Sequence, residues 1–346
     1  MALKKAQEAF NKLVKELKDG TFKYEPREEK EIDWAAYNLS KIHETELFLN
    51  FIREAVDAAE IELSKQGGPG RPAKDAYDLT KVLLMQTYFH VANRQAAGFA
   101  ILFREKLMLK ELFSESTVGR AYSNPDVQKI LNKVFELTNK PIEEKETAFG
   151  ADGTGLPLSN KQNYANDRDD QKKHADYGKM AVMISNSFHI ATAFVYAKGS
   201  ANDCPLFEPL IGQTAMRFQN IEDVELDAGF IARYNCNLIA SYGATPYIYP
   251  KTGLTLNRRG SGAWTKMWLS LVDDPQKWMR RYHQRSQNEC YFSSHKRRHT
   301  RPLLKRKGVR RETEAQCRVI VTNICMLITA AFERRVDVPM FGQDYL

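Results

Sequence analysis

Apolar positions in the first part of the chain recur at helical spacing. Phe10, Leu13, Val14 and Leu17, then Leu47, Leu49, Phe51, Ile52 and Val56, fit a period near 3.6 better than one of 2, which predicts helices across residues 1–66. Gly67-Gly68-Pro69-Gly70-Arg71-Pro72 breaks any helix and reads as a linker. The helical pattern resumes from Asp75 to Lys110 through Leu79, Val82, Leu83, Tyr88 and Phe89. Ser114 to Val134 reads as a short helix, an Asn124-Pro125 turn and a second helix, a pattern shared by helix-turn-helix readers and ordinary helical hairpins.

After Pro141 the pattern changes. Phe149 to Leu158 contains Asp152-Gly-Thr-Gly, with Asp152 expected in a Gly-rich turn just after a strand-like run. Met180 to Ala197 fits two buried strands turning near Asn186 or Ser187. A helix over Cys204–Phe218, a short strand Val224–Leu226 ending at Asp227, a helix over Ile231–Tyr242 and a strand Thr245–Tyr249 follow. A long helix is expected from about Ala263 to His299, and an apolar one from Thr313 to Phe332 closes the chain. Strands alternating with helices predict an α/β domain with a mixed sheet, preceded by an all-α N-terminal region. The expected partition is 1–66, linker 67–72, helical region 73–140, α/β domain 141–335 and tail 336–346.

Composition sharpens this picture. The 346 residues are 43% hydrophobic and 11% aromatic, enough for a large core and unlike a disordered or coiled-coil chain. Net charge is +8, but Lys251 to Arg311 holds 17 Lys and Arg against 3 acids, so this one stretch carries the basic character. A polyanion is the partner such a stretch suggests, and a solvated charged face is the alternative. The first residues do not form a signal peptide, and polar residues interrupt both apolar windows, so no membrane span is expected. Five cysteines without a C-x-x-C pair suggest a reduced, cytoplasmic protein.

The candidate chemistry lies in the basic helix. At about 100° per residue, Tyr282, Arg285, Glu289 and Lys296 fall within an arc of roughly 60° on a continuous helix. A glutamate flanked by three phosphate-contacting groups suits metal-assisted phosphoryl transfer; an exposed face with an Arg285–Glu289 ion pair has the same spacing. Asp152 and Asp227, at strand ends, supply two further carboxylates. Three carboxylates suffice to hold two Mg²⁺ or Mn²⁺ ions about 4 Å apart around a scissile phosphate.

In these motifs the sequence resembles the DDE transposases of bacterial and archaeal insertion sequences, in the group with a Y-(2)-R-(3)-E-(6)-K signature. Tyr282, Arg285, Glu289 and Lys296 match that spacing without deviation. Asp152-Gly-Thr-Gly resembles the family's first-aspartate motif and Asp227-Ala-Gly-Phe its second, 75 residues on. Gly70-Arg71-Pro72, Ser116-Thr117-Val118 and Asn323 add to the likeness, which covers most of residues 70–335. The resemblance implies an RNase H-like catalytic domain in which Asp152, Asp227 and Glu289 are catalytic and bind metal, while Tyr282, Arg285 and Lys296 contact DNA. Arg71, Arg297 and Arg298 join them as candidate DNA contacts. It further implies cleavage at element ends, strand transfer into target DNA, double-stranded DNA as partner and a homodimeric synaptic complex, in the cytoplasm of a bacterium or archaeon. Trp264, Trp268 and Trp278 lie where some relatives hold a flipped base, but no such role transfers to any of them. The remaining readings are a transposase-derived DNA-binding protein that does not cut, and an RNase H-like endonuclease without strand transfer.

Cys290, His295 and His299 lack the ligand pairing of a structural zinc site, and the two histidines are expected to extend the basic surface. Asp167, Asp169, Asp170, Lys172 and Lys173 form a charged loop, and His174 and His189 are isolated. No ATP-binding P-loop sequence occurs.

Overall fold

The computed structural model describes residues 2–25, 31–64, 73–159 and 177–342. The linker with Arg71 and the loop from Asp167 to His174 lie outside the described residues. The helices are α1 (Ala2–Lys18), α2 (Trp34–Asp57), α3 (Ala76–Tyr88), α4 (Asn93–Leu102), α5 (Glu115–Ala121), α6 (Pro125–Asn139), α7 (Cys204–Ala215) and α8 (Arg233–Ser241). They continue with α9 (Gly262–Asp273), α10 (Pro275–Tyr282), α11 (Ser286–Arg298) and α12 (Gly308–Arg334). The strands are β1 (Ala148–Pro157), β2 (Tyr177–Ser185), β3 (Ala191–Lys198), β4 (Asp223–Leu226) and β5 (Thr245–Ile248).

Contacts divide the chain into two units, neither continuous in sequence. The first comprises Met1–Glu31, Glu143–Thr154 and Lys179–Ser293; the second comprises Ile32–Ile142, Gly155–Gly178 and Ser294–Leu346. This differs from the linear partition. Residues 1–66 are shared between the units, and α12 belongs with the helical region.

The sheet has the order β3-β2-β1-β4-β5, with β1, β4 and β5 parallel. The turn between β2 and β3 is too short for a crossover, so these strands are antiparallel. The Asn186 amide donates to Ala148 O at 3.0 Å while Met180 lies beside Gly153, so β2 also runs antiparallel to β1. This is the RNase H-like mixed sheet. Met180 to Ser185 are buried without alternation, as a strand covered on both faces requires. In the same unit α1 packs on α9: the Phe10 and Trp268 rings are 5.2 Å apart, Gln7 Nε2 donates to Leu254 O, and the Leu256 amide donates to Gln7 Oε1.

The expected helix from 263 to 299 is broken twice. Asp274 ends α9 and caps α10, its Oδ1 accepting from the Lys277 amide, and Pro275 occupies the first turn of α10. A 3₁₀ turn, His283–Arg285, then separates α10 from α11.

Local signals start α2, α3, α5 and α6 of the second unit. Asp33, Asp75, Ser114 and Asn124 each accept a backbone hydrogen bond from the first turn of the helix that follows. The α5–turn–α6 arrangement is the one the sequence predicts. By length and composition α12 is apolar enough to cross a membrane, but 83% of its most apolar window is buried, and it packs against α2, α3 and α6. It is the central helix of this unit.

His295 and His299 are not surface groups. Both are buried, His295 Nδ1 lying 2.9 Å from Thr322 Oγ1 and His299 Nε2 donating to Arg318 O at 3.1 Å. Burial pushes His295 down to about 3, with Arg318, Lys296 and Arg298 adding to it, and burial with its charged neighbours holds His299 well below its ordinary range. The unfolded chain takes up the His295 proton near 6.5, so its contribution is present above that pH and is lost as pH falls toward 3. The His295→Gln variant should therefore lose about 2 kcal/mol less stability than the wild type between about pH 7.5 and pH 5, read by urea unfolding.

Candidate active site

Sheet register sets the first two acids. β1 and β4 pair in parallel with Ala151 opposite Leu226, so Asp152 and Asp227, one residue further on, emerge side by side where β4 ends. β1 does not end there: it continues to Pro157, so Asp152 lies within a strand and not in the expected turn. Gly153 leaves the space for this, since a Cβ there would stand 3.2 Å from Asp203 Oδ1 and 3.3 Å from Lys179 Cε. The two acids make the same local contact. Asp152 Oδ1 accepts from the Gly153 amide and Asp227 Oδ1 from the Ala228 amide, both at 2.7 Å.

The four signature residues do not form one helical stripe, because the 3₁₀ turn changes the phase after Tyr282. Tyr282 is buried, stacked on Trp278 with ring centroids 5.6 Å apart and tilted against Tyr249 at 5.3 Å. Arg285 is half-buried, whereas the Glu289 side chain is 70% exposed. Lys296 is exposed and belongs to the second unit.

Arg285 ties the rest together. Its Nη1 lies 3.5 Å from Asp152 Oδ2 and its Nη2 3.4 Å from Glu289 Oε1. Burial works against its charge, but Tyr282, Asp152, Asp227 and Glu289 outweigh that and hold it firmly protonated. Burial also raises the Asp152 carboxyl above the usual range, with Asp227 and Asp203 adding to the rise and the Gly153 amide and Arg285 opposing it. Burial likewise raises the Tyr282 phenol.

This donor set suits a hard divalent cation, because carboxylate oxygens are its preferred ligands. A cationic group, Arg285, already lies between Asp152 and Glu289. Among the described residues, no three His, Cys, Asp or Glu side chains are gathered tightly enough to hold one ion. Arg285 and the acids would therefore have to rearrange on loading.

The sequence reading missed several residues near this site. Asp203 precedes α7 and resembles an ordinary cap, yet its side chain makes no capping bond and pairs with Lys179 of β2 at 2.6 Å. Glu225 of β4 is fully buried, accepts from Asn186 Nδ2 at 2.7 Å, and is pushed up to about 8 by burial. Asn288 is buried against Gly150, where a Cβ would stand 2.3 Å from its Nδ2. Only the Gly-rich composition around Asp152 hinted at such close approaches.

Arg297 is exposed, but Arg298 is held by Glu44, with Nη1 2.9 Å from Oε1. Trp264, Trp268 and Trp278 are all buried, so none is free to hold an extruded base. None of the five cysteines is in a disulfide.

The sheet order and its parallel β1, β4 and β5 are those of an RNase H-like fold, with Asp152 and Asp227 side by side where β4 ends and Glu289 linked to Asp152 through Arg285. Residues 144–327, more than half of the chain, match the family described as "Transposase DDE domain", and the chain belongs to that family. It is 26% identical over 265 residues to a probable transposase for insertion sequence element ISA1214 of Archaeoglobus fulgidus, covering 76% of this chain and 77% of that one. Two solved structures give looser likenesses. The piggyBac transposase synaptic complex with hairpin DNA has a TM-score of 0.36 and 11% identity, covering 87% of this chain and 81% of that one. The Mos1 transposase paired-end complex with left transposon end has a TM-score of 0.22 and 12% identity, covering 69% and 84%. Scores that low carry no structural argument.

Proposed function

We propose that this transposase cuts DNA at the ends of an insertion sequence and joins the freed 3′-hydroxyl to target DNA. The observation that carries the reading is the in-register placement of Asp152 and Asp227, with Arg285 reaching both Asp152 and Glu289. Asp152, Asp227 and Glu289 would hold two Mg²⁺ or Mn²⁺ ions. Bound there, such ions supply charge neutralisation at the scissile phosphate and an activated hydroxyl nucleophile. Arg285, displaced from the carboxylates by loading, is then available to a phosphate oxygen, and Lys296 and Arg297 lie further along the same helix as exposed cations. Tyr282 is buried and interacts with Arg285, and it does not itself extend to the surface. The helical region 73–140 is proposed to bind element ends and to support a homodimer, acting in the cytoplasm on chromosomal DNA.

Incubation of the full chain with Mg²⁺ and a terminal-repeat duplex tests this. Nicking followed by a joined product supports the proposal, nicking without joining indicates an endonuclease, and retention without nicking indicates a DNA-binding protein. Because the basic stretch would neutralise several phosphates, retention on the duplex should fall at least about a hundredfold between about 50 and 200 mM salt, measured by filter binding.

A further inference from the structure

Two side chains at the start of α11 meet β1, one helical turn apart. Arg285, in the 3₁₀ turn, has Nη1 3.5 Å from Asp152 Oδ2, and three residues on Asn288 lies over Gly150. Residues three apart share a face of such a turn, and residues two apart share a face of a strand. A helical turn advances about 5.4 Å and two strand residues about 6.6 Å, so the two contacts fall in step. Gly150 makes the second one possible: a Cβ there would stand 2.6 Å from Asn288 Oδ1 and 2.8 Å from its Cγ, closer than real Cβ atoms approach. Gly150 is opposite Glu225 of β4, and Glu225 Oε2 accepts from Asn186 Nδ2 at 2.7 Å, so a hydrogen bond from the end of β2 to β4 spans β1 beside this notch. Asn288 is fully buried, yet neither atom of its amide meets a hydrogen-bond partner among the described residues. A buried amide left so lowers stability, and stability therefore does not account for it.

We propose that Asn288 is a positioning residue for Glu289. Seated in the notch at Gly150, its side chain fixes where α11 lies along β1, and that register keeps Glu289 within reach of Arg285 and Arg285 within reach of Asp152. A methyl group at position 150 would take the volume of the Asn288 amide and lift the first turn of α11 from the sheet. Glu289 is on that turn and its side chain is 70% exposed, so the helix, and not packing around the carboxylate, sets its place.

This inference rests on the metal-binding reading above, and Mn²⁺ binding to the full chain, followed by electron paramagnetic resonance, separates the two. Wild-type protein that binds no Mn²⁺ removes the metal-site reading and this inference with it. With wild-type binding established, Gly150→Ala should weaken Mn²⁺ at least about tenfold and Asn288→Ala about fivefold. Combining Gly150→Ala with Asn288→Ala should bring affinity back to within about threefold of wild type, because a methyl group then fills the notch from the strand side. In a Glu289→Gln background Gly150→Ala should cost less than about twofold, because the carboxylate it displaces is already gone. Urea unfolding of Asn288→Ala should keep the wild-type midpoint; a merely structural role would lower the midpoint and leave Mn²⁺ affinity unchanged. The inference is overturned by a Gly150→Ala protein that binds Mn²⁺ as the wild type does, by a double variant no better than Gly150→Ala, or by Gly150→Ala and Glu289→Gln losses that multiply. Should Gly150→Ala fail to fold, Asn288→Ala still decides: wild-type Mn²⁺ affinity, or a loss that persists in full in the Glu289→Gln background, also overturns it.

Discussion

Glu289→Gln is expected to lower the rate of nicking by at least about a hundredfold while leaving retention on a terminal-repeat duplex within about twofold of wild type. The two effects separate because of where Glu289 sits. Its side chain is largely exposed and it pairs with Arg285, which also reaches Asp152, so an isosteric neutral group costs the fold little. The amide removes the negative charge by which the side chain would hold a divalent ion. Asp152→Ala should be at least as severe, since Asp152 follows Ala151, whose partner across the sheet is Leu226, and so stands beside Asp227 where β4 ends. Nicking assays at saturating Mg²⁺ check both, and a variant that cuts at the wild-type rate removes that residue from the site.

Arg318→Met should lower the unfolding free energy by about 3 to 5 kcal/mol, read by urea unfolding. Arg318 donates to Arg301 O and Pro302 O at 2.8 Å and to Glu314 Oε1 at 2.9 Å, and both charged side chains are only 7% exposed. Glu314 in turn accepts the Leu304 and Lys305 amides, so the pair secures the segment that leads into α12. Removing the arginine alone strands a buried carboxylate and leaves two carbonyls without their donor. Removing both charges with Glu314→Gln and Arg318→Met should cost less than the single change, because no ion is then left buried alone.

The parts of the fold that were legible in the sequence are those set by neighbours along the chain. The β2–β3 turn at Asn186–Ser187, the α5–α6 hairpin at Asn124-Pro125 and the end of β4 at Asp227 follow from residue periodicity and turn chemistry. Asp274-Pro275 also carried a readable stop, which the regular spacing on either side obscured. The 3₁₀ turn after Tyr282 had no local signal. It accompanies the burial of Tyr282 against Trp278 and Tyr249 while Arg285 reaches Asp152, and these are contacts with distant segments. The histidines were misplaced for the same reason: they are buried by contacts with α12, which is distant in sequence. Asp203 could not be told from a helix cap until Lys179 was placed beside it on β2.

Neither unit is built from one continuous stretch, and this has a consequence for synthesis on the ribosome. The sheet unit takes its first helix from residues 2–18 and its last segment from residues up to 293, while the helical unit lacks its central helix until residues 308–334 have been made. Domains that fold during translation do so as their chain emerges, amino-terminal parts first. Here α1 waits for α9, and α2, α3 and α6 wait for α12. A nascent chain therefore completes neither unit early: the sheet unit waits for residues up to 293 and the helical unit for its helix over residues 308–334.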